Sequence, residues 1–285
     1  MMTLGDLGQF ANSSFATSLV GAIAGAFAGA YVAQRVAERA KLRYELALEV
    51  RHVNAALGLA FGIANSAIAT KSQHVLPLKQ AYEDEKRRQE AWIASVLPTA
   101  AHQSPVDSAE RVFRTFPTVS APIAALQDFV YTRINVVGRP INLVITLTET
   151  LQNLGTAIDH REKLVSDFKS NNLPPGASVS ALYYGLPYGQ GVVNQEYPDT
   201  INAISLYTDC VIWFSVQLAD DLRSYGLAVA SRYEKSFGRP APRVSRVDFT
   251  AARTSGLVPR GDAFKDWLSG FKTTESSFAW WQREA

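Results

Sequence analysis

The run FATSLVGAIAGAFAGAYVAQ, from Phe15 to Gln34, decides the predicted fold of this chain. It contains no charged side chain, and no charge occurs anywhere between Asp6 and Arg35. About 20 residues of α-helix extend over roughly 30 Å, which is the thickness of the hydrocarbon core of a bilayer. A backbone inside hydrocarbon must satisfy its own hydrogen bonds, so the sequence predicts a transmembrane helix over residues 14–34.

Charges on the two sides of this segment predict its orientation. Four basic side chains lie between residues 35 and 43, whereas the leader, residues 1–13, carries one acidic and no basic side chain. The positive-inside rule therefore predicts a single-pass protein of the inner (plasma) membrane, with the leader outside and the C-terminal side cytoplasmic. Tyr31, Arg35 and Arg39 are the predicted membrane-interface residues, because aromatic and basic side chains concentrate at the headgroup level.

Three glycines recur at every fourth position of the segment: Gly21, Gly25 and Gly29. This spacing places them on one face of a helix. Glycine destabilises a helix in water by about 1 kcal/mol relative to alanine, whereas in lipid small residues let two helix backbones approach closely. The pattern resembles the glycine zipper of self-associating membrane segments. The resemblance implies helix association in the lipid bilayer, with a homo-oligomer as the expected product.

Two other interpretations of this segment stay open. Small residues around Ala28 and Ala30 suit a signal peptidase, although cleaved signal peptides usually have a basic leader and a shorter apolar core. Alternatively, the protein is soluble and buries its glycine-rich helix in the core, where glycine permits close packing.

Beyond the segment, the sequence predicts an all-α protein, in which the transmembrane helix continues into a multi-helix cytoplasmic domain over residues 35–235. No proline occurs between residues 35 and 70, and apolar residues there alternate spacings of four and three, which is typical of a packed helix. The predicted buried seam consists of Leu46, Val50, Val53, Leu57, Ala60, Ala64 and Ala67.

The uncharged stretch 54–70 has a second interpretation. Its 17 residues are at the lower length limit of a membrane span, so it could form a helical hairpin with the first span. We favour a core helix for this stretch.

Helix-breaking residues and apolar spacing predict the remaining elements. Gly155 is expected to separate two helices, Asp199 to cap the last long helix, and Glu83 and Glu85 to lie on a solvated face. Residues 236–285 are predicted to form a basic, turn-rich tail with a short C-terminal helix. The predicted helices cover residues 78–96, 123–137, 141–153, 156–169 and 200–235.

Residues 171–199 are rich in proline, glycine and tyrosine and nearly uncharged. Loops of this length are usually functional or disordered, and the density of tyrosine favours packing over disorder. Tyr183, Tyr184 and Tyr188 are therefore the candidate ligand loop of an alternative function, a membrane-tethered enzyme or ligand-binding domain.

No catalytic, cofactor or metal site is predicted, and no cofactor is expected. The sequence has no phosphate-binding loop, nucleophile elbow or zinc-protease motif, and its four histidines lack ligand spacing. Cys210 lies among apolar residues and is predicted to be core. A net charge of +2 gives no reason to expect nucleic acid binding. The favoured hypothesis is a membrane-anchored, self-associating scaffold, sensor or membrane effector with an unknown cytoplasmic partner, rather than a catalyst.

Overall fold

The computed structural model describes residues 14–95, 113–117 and 120–271. Every regular element within these ranges is helical, which confirms the all-α prediction. Two π-helical turns, Lys71–Val75 and Phe129–Arg133, and a 3₁₀ turn, Gly261–Phe264, accompany the α-helices. The α-helices are α1 (Ser14–Thr70), α2 (Leu76–Ser95), α3 (Ile123–Asp128), α4 (Arg139–Lys169), α5 (Val179–Tyr184), α6 (Glu196–Phe237), α7 (Thr250–Thr254) and α8 (Lys265–Ser269). The predicted leader and the end of the predicted tail lie outside the described residues.

The chain divides into two compact units. The first unit contains the described residues up to Arg51 together with Ala228–Arg243. The second unit contains His52–Leu227 and the described residues from Val244 onward. Helices α1 and α6 each contribute residues to both units.

Helix α1 is continuous from Ser14 to Thr70. A helical hairpin needs a reversal of chain direction between its two helices, and α1 has none between residues 34 and 54. The stretch 54–70 therefore belongs to the same helix and does not form a separate one. Its side chains also contribute to the core of the second unit, as expected for a core helix; those buried are Ala56, Leu57, Ala60, Ile63, Ala64 and Ala67.

The predicted seam of α1 is confirmed, because all seven of its residues are buried. Leu46 and Val50 are buried in the first unit, and Val53 begins the buried run of the second. Alanine occupies three of the seven positions, which permits close approach of neighbouring chain segments. Alternation of three and four residues thus identified the packed face of this helix.

The C-terminal end of α1 is fixed by Lys71, a buried lysine at the start of the π-helical turn Lys71–Val75. Lys71 Nζ pairs with Asp209 Oδ1 of α6 at 2.7 Å and donates to the Leu257 carbonyl oxygen at 2.9 Å. Pro77, in the first turn of α2, has no N–H for the helical hydrogen-bond ladder, which accounts for an irregular turn just before it. Helical structure nevertheless continues into α2, which matches the predicted helix 78–96 closely.

Two predicted helix boundaries are wrong. Helix α4 runs through Gly155 without interruption, because a glycine costs only about 1 kcal/mol and the helix buries residues on both sides of it, Leu154 and Ala157. Helix α6 begins at Glu196, so Asp199 lies inside the first turn instead of capping it. An acidic side chain is favourable at either place, since both lie near the positive end of the helix dipole.

Two glycines of the second unit provide a test of the α1 packing. A Cβ atom at Gly226 of α6 would lie 2.9 Å from Val53 Cγ1 and 3.1 Å from Val244 Cγ1, whereas one at Gly62 meets no atom within 4 Å. We expect Gly226→Ala to lower the free energy of unfolding by about 1 kcal/mol through overpacking. Gly62→Ala should raise it by about 1 kcal/mol through helix propensity.

Thermal and urea unfolding followed by circular dichroism measure both changes. Equal stabilisation by the two alanines would contradict the close packing of α6 against Val53.

Candidate functional site: an exposed apolar segment and a buried tyrosine cluster

The N-terminal part of α1 exposes apolar side chains. Every side chain described between Gly21 and Arg39 is exposed, including Ile23 and Phe27, the latter to 74%. Val32 and Val36 are exposed in the same way. Such side chains gain roughly 1.5–3 kcal/mol each when fully removed from water, so this surface favours an apolar environment.

The three glycines of this segment have no steric reason for being glycine within the described chain. A Cβ atom at Gly21, Gly25 or Gly29 would meet nothing within 4 Å. Gly226 differs, because a Cβ atom there would force Val53 or Val244 to shift. The packing of the described chain therefore favours glycine at position 226, but it gives no reason for glycine at positions 21, 25 and 29.

The predicted interface residues lie at consecutive turns on one face of α1. The Arg35 guanidinium carbon lies 5.1 Å from the centre of the Tyr31 ring, a cation–π contact. Gln34 lies one turn before Glu38 and donates a hydrogen bond to the Glu38 carboxylate at 2.8 Å. Arg39 is exposed one turn after Arg35. The change from apolar to charged surface therefore occurs between Tyr31 and Arg39.

Two helices of the described chain are long and apolar enough to cross a membrane, judged by length and composition alone: the run Gly21–Ser95 and Glu196–Phe237. Core helices of soluble proteins and signal sequences meet the same criterion. Buried side chains make up 39% of the most apolar stretch of the first run and 56% of that of the second. Residues 21–36 differ, since none of their described side chains is buried.

The predicted ligand loop contributes its tyrosines to an aromatic cluster in the second unit. Tyr183 and Tyr184 lie in the short helix α5 and are buried. Tyr183 stacks on Tyr197, with ring centres 4.6 Å apart. We call the six rings the tyrosine cluster; they belong to Tyr82, Phe113, Phe168, Tyr183, Tyr184 and Tyr197.

Local sequence explains how α5 positions these rings. Ser178 caps its N-terminus by accepting a hydrogen bond from the Ala181 N–H at 3.1 Å. Gly185 ends it in the left-handed conformation, with a φ of 67°. Tyr188 lies outside the helix, is half-buried and forms an isolated β-bridge with Val192. Tyr188 packs against the core that contains Tyr183 and Tyr184, but it is not one of the rings of the tyrosine cluster.

Two charged side chains are buried in the second unit beside these rings. Glu85 is 7% exposed and accepts a hydrogen bond from the Tyr183 hydroxyl at 3.1 Å. Arg161 is fully buried, donates to the Arg114 carbonyl oxygen at 2.9 Å and pairs with Glu162 Oε1 at 2.7 Å. Burial of a charged group is tolerated when it is hydrogen-bonded or paired; Glu85 is hydrogen-bonded, and Arg161 is both hydrogen-bonded and paired.

The prediction that Glu85 lies on a solvated face is wrong. Leu78, Tyr82 and Glu85 share the buried face of α2, at spacings of four and three residues. Arg161 was not singled out by the sequence, although it falls on the buried face of α4 between Ile158 and Val165. In both helices the apolar periodicity indicated burial, and the charge of the side chain obscured it.

Burial changes the acid–base properties of three side chains outside the predicted span. It raises the pKa of Tyr82 well above the usual range of tyrosine, with Tyr197 and Glu90 adding to the effect. It also raises the pKa of Tyr197, although the positive charge of Arg161 opposes the shift. Burial raises the pKa of the Cys210 thiol, which disfavours the thiolate that nucleophilic chemistry requires. Cys210 is half-buried in α6.

Metal clusters and surface depressions are the two kinds of candidate ligand site relevant to the described chain. Within residues 14–95, 113–117 and 120–271, no group of three or more histidine, cysteine or acidic residues could hold a metal ion. Neither of two shallow depressions on the described surface includes Tyr183, Tyr184 or Tyr188. One is lined by Arg39, Ala40, Arg43, Phe237 and Arg239, and the other by Asp84, Arg87, Arg88 and Ala91.

Comparison with known proteins gives no relative from which a function could be transferred. No family model matches the chain, and no curated protein or solved structure is significantly similar to it. The functional interpretation therefore depends on the residues themselves.

The tyrosine cluster yields a test with a matched control. Tyr183→Phe removes a hydroxyl that donates to buried Glu85, so we expect the free energy of unfolding to fall by about 1–3 kcal/mol. Tyr82→Phe removes a buried hydroxyl with no hydrogen-bond partner among the described atoms, and should leave stability unchanged or slightly raised. Urea unfolding at neutral pH measures both, and equal effects would argue against a stabilising Tyr183–Glu85 bond.

Proposed function

We propose that the protein is anchored in the inner membrane through residues 14–34, with its N-terminus outside, and associates with copies of itself through Gly21, Gly25 and Gly29. Its helical part on the cytoplasmic side would bind a partner. The protein would thus act as a scaffold, sensor or membrane effector instead of a catalyst.

The exposed apolar surface of α1 is the observation that carries this proposal. Residues 21–34 have no charge, and none of their described side chains is buried. A soluble protein that buried its glycine-rich helix would show the opposite pattern, with this segment inside a core. A bilayer provides the apolar surroundings that the described chain does not.

The spacing of the three glycines supports self-association. No atom of the described chain needs glycine at these positions, which is also true of Gly58, Gly62 and Gly155. The support for an outside partner therefore comes from the regular spacing of three destabilising residues in an uncharged, exposed segment. A second helix whose backbone approaches closely supplies a reason for this spacing in lipid.

The glycine face of another copy is the favoured partner. The small residues Gly58, Gly62 and Ser66 of the same molecule are a rival partner by composition. They lie further along the same uninterrupted helix, and two parts of one uninterrupted helix cannot pack side by side. Association between copies therefore agrees with the continuity of α1.

The charge transition at the end of the segment supports the orientation. Arg35 over Tyr31 pairs a cation with an aromatic ring, and both residue types are enriched at membrane interfaces. Burial of Tyr183 and Tyr184 supports a structural role for the tyrosine-rich loop over the alternative, a membrane-tethered enzyme or ligand-binding domain.

Membrane anchoring is tested by placing charge near the centre of the segment. We expect the wild-type protein to stay in the membrane fraction after alkaline carbonate extraction. Ile23→Arg combined with Phe27→Arg should release it or prevent its accumulation, because an arginine at the centre of a span costs about 2.5–3.5 kcal/mol.

The matched control introduces the same charge at exposed leucines of α6. Leu206→Arg combined with Leu227→Arg alters two exposed apolar side chains outside the proposed span and should leave the protein in the membrane. Release of the wild-type protein by carbonate, or retention of the Ile23 and Phe27 variant, would overturn the membrane anchor.

Self-association is tested by enlarging the glycine face. Gly25→Leu combined with Gly29→Leu should reduce the association constant at least tenfold, because the added side chains separate the helix backbones. Ala26→Leu combined with Ala30→Leu is the matched control: each substitution lies one residue further, about 100° around the helix.

Cross-linking in membranes and energy transfer between labelled copies measure the association. The control should associate like the wild type, and both variants should stay in the membrane. If neither pair of leucines alters association, or if both reduce it equally, the glycine face is not the contact.

A further inference from the structure

A shallow depression of about 220 Å³ in the first unit brings together three arginines from distant parts of the chain. Arg39 and Arg43 lie four residues apart on one face of α1. Arg239 follows the end of α6, and Phe237 adds the last ring of that helix to the lining. The sequence separation of 196 residues between Arg43 and Arg239 means that folding, and not a local basic run, creates this cluster.

Local contacts determine the shape of the depression. Helix α6 ends at Phe237, and Gly238 adopts a φ of 60°, the left-handed conformation in which the chain turns away from a helix. The Ala241 N–H then donates to Glu234 Oε1 at 3.2 Å, which fastens the segment that carries Arg239.

One of the three arginines is held by a buried side chain. Arg43 Nε donates to the Tyr233 hydroxyl at 3.0 Å, and Tyr233 is buried. The Tyr233 ring in turn packs against Phe237, with centres 5.1 Å apart. Since only Nε is occupied by this bond, the two terminal amino groups of Arg43 keep donors for another acceptor.

The lining of the depression contains three arginines and no acidic side chain. None of the three arginines forms an ion pair with a described carboxylate. Glu45 pairs with Lys41, whereas Glu38 and Glu234 accept from the neutral donors Gln34 and Ala241 N–H and keep their charge without pairing with the three arginines. The end of α6 contributes about half a negative charge, against three full positive charges. An anion is the ligand that this balance favours.

The donor set favours phosphate. Guanidinium groups present planar pairs of donors that match phosphate oxygens, and several arginines together can bind more than one oxygen of the same group. Half-buried Phe237 gives the depression an apolar edge, which suits a phosphate that is esterified to an organic group.

We propose that Arg39, Arg43 and Arg239 form a binding site for a phosphate ester, with the headgroup of an anionic phospholipid as the favoured source. This choice of source rests on the proposed membrane anchor. Arg39 follows residue 34 by five residues, or about 7.5 Å of helix, which places it at the headgroup level if residues 14–34 span the bilayer. A soluble phosphate ester has the same chemistry and is the second source.

Arg239→Gln is the decisive variant, because Arg239 is remote in sequence from the proposed span and does not belong to its flanking charges. We expect this variant of the full-length protein to insert normally but to lose at least tenfold in affinity for phosphatidylglycerol. Arg88→Gln is the matched control, since it makes the same charge change in the other depression, which contains the carboxylate of Asp84.

Two binding measurements distinguish the sources. Native mass spectrometry of the detergent-solubilised protein counts retained phosphatidylglycerol against phosphatidylcholine. Isothermal titration with glycerol 3-phosphate and with inorganic phosphate measures the soluble anions. Selective retention of phosphatidylglycerol that needs Arg239 supports the lipid source, whereas Arg239-dependent binding of glycerol 3-phosphate without lipid selectivity supports the soluble one.

Wild-type affinity of Arg239→Gln for every probe would overturn the site, as would equal losses in Arg239→Gln and Arg88→Gln. Failure of the membrane anchor is detected separately by carbonate extraction. In that case the titration with glycerol 3-phosphate still decides whether the three arginines bind a phosphate ester.

Discussion

The structure depends on a change of environment along one uninterrupted helix. From Gly21 to Arg39 the described side chains of α1 are exposed, and from Leu46 to Ala67 one face of the same helix is buried. An α-helix tolerates this change because its backbone hydrogen bonds are internal in water, in a protein core and in lipid alike. The sequence of side chains alone therefore decides which surroundings each part of α1 favours. The proposed anchor, the self-association and the arginine site all follow from the exposed part.

Buried charges impose a second constraint, within the second unit. Lys71, Glu85 and Arg161 each have a specific partner on another part of the chain: the Asp209 carboxylate, the Tyr183 hydroxyl and the Arg114 carbonyl oxygen. Ion pairs in protein interiors add little stability, because desolvation offsets the attraction, but removing one partner is strongly unfavourable. These contacts therefore mainly fix the register of one helix against its neighbours. A helix that shifted along its axis would leave a charge buried without its partner. The tyrosine cluster packs its rings beside one of these charged groups, Glu85. The cluster is therefore better suited to holding helices together than to admitting a ligand.

Much of the fold could be predicted from the sequence, and the errors share a cause. The seam of α1 was predicted residue by residue, because hydrophobic periodicity reports burial directly. Gly155 and Asp199 were misjudged because local propensities of about 1 kcal/mol are weaker than the burial of a long apolar face. The charge of Glu85 predicts exposure, but Glu85 is buried because it lies on the same helix face as Leu78 and Tyr82. The arginine site could not be predicted from the sequence, since nothing near residue 239 indicates that Arg239 lies beside Arg43.

Glycine illustrates why sequence pattern and structure have to be considered together. Gly226 gives no periodic signal, yet a larger residue there would force Val53 or Val244 to shift. Gly21, Gly25 and Gly29 give a strong periodic signal, yet a Cβ atom would fit at each of them without contact. A glycine that the fold requires is explained by the chain's own atoms. For a regular series of glycines that the fold does not require, in an uncharged and exposed helix, we propose another helix in lipid as the surface that they contact.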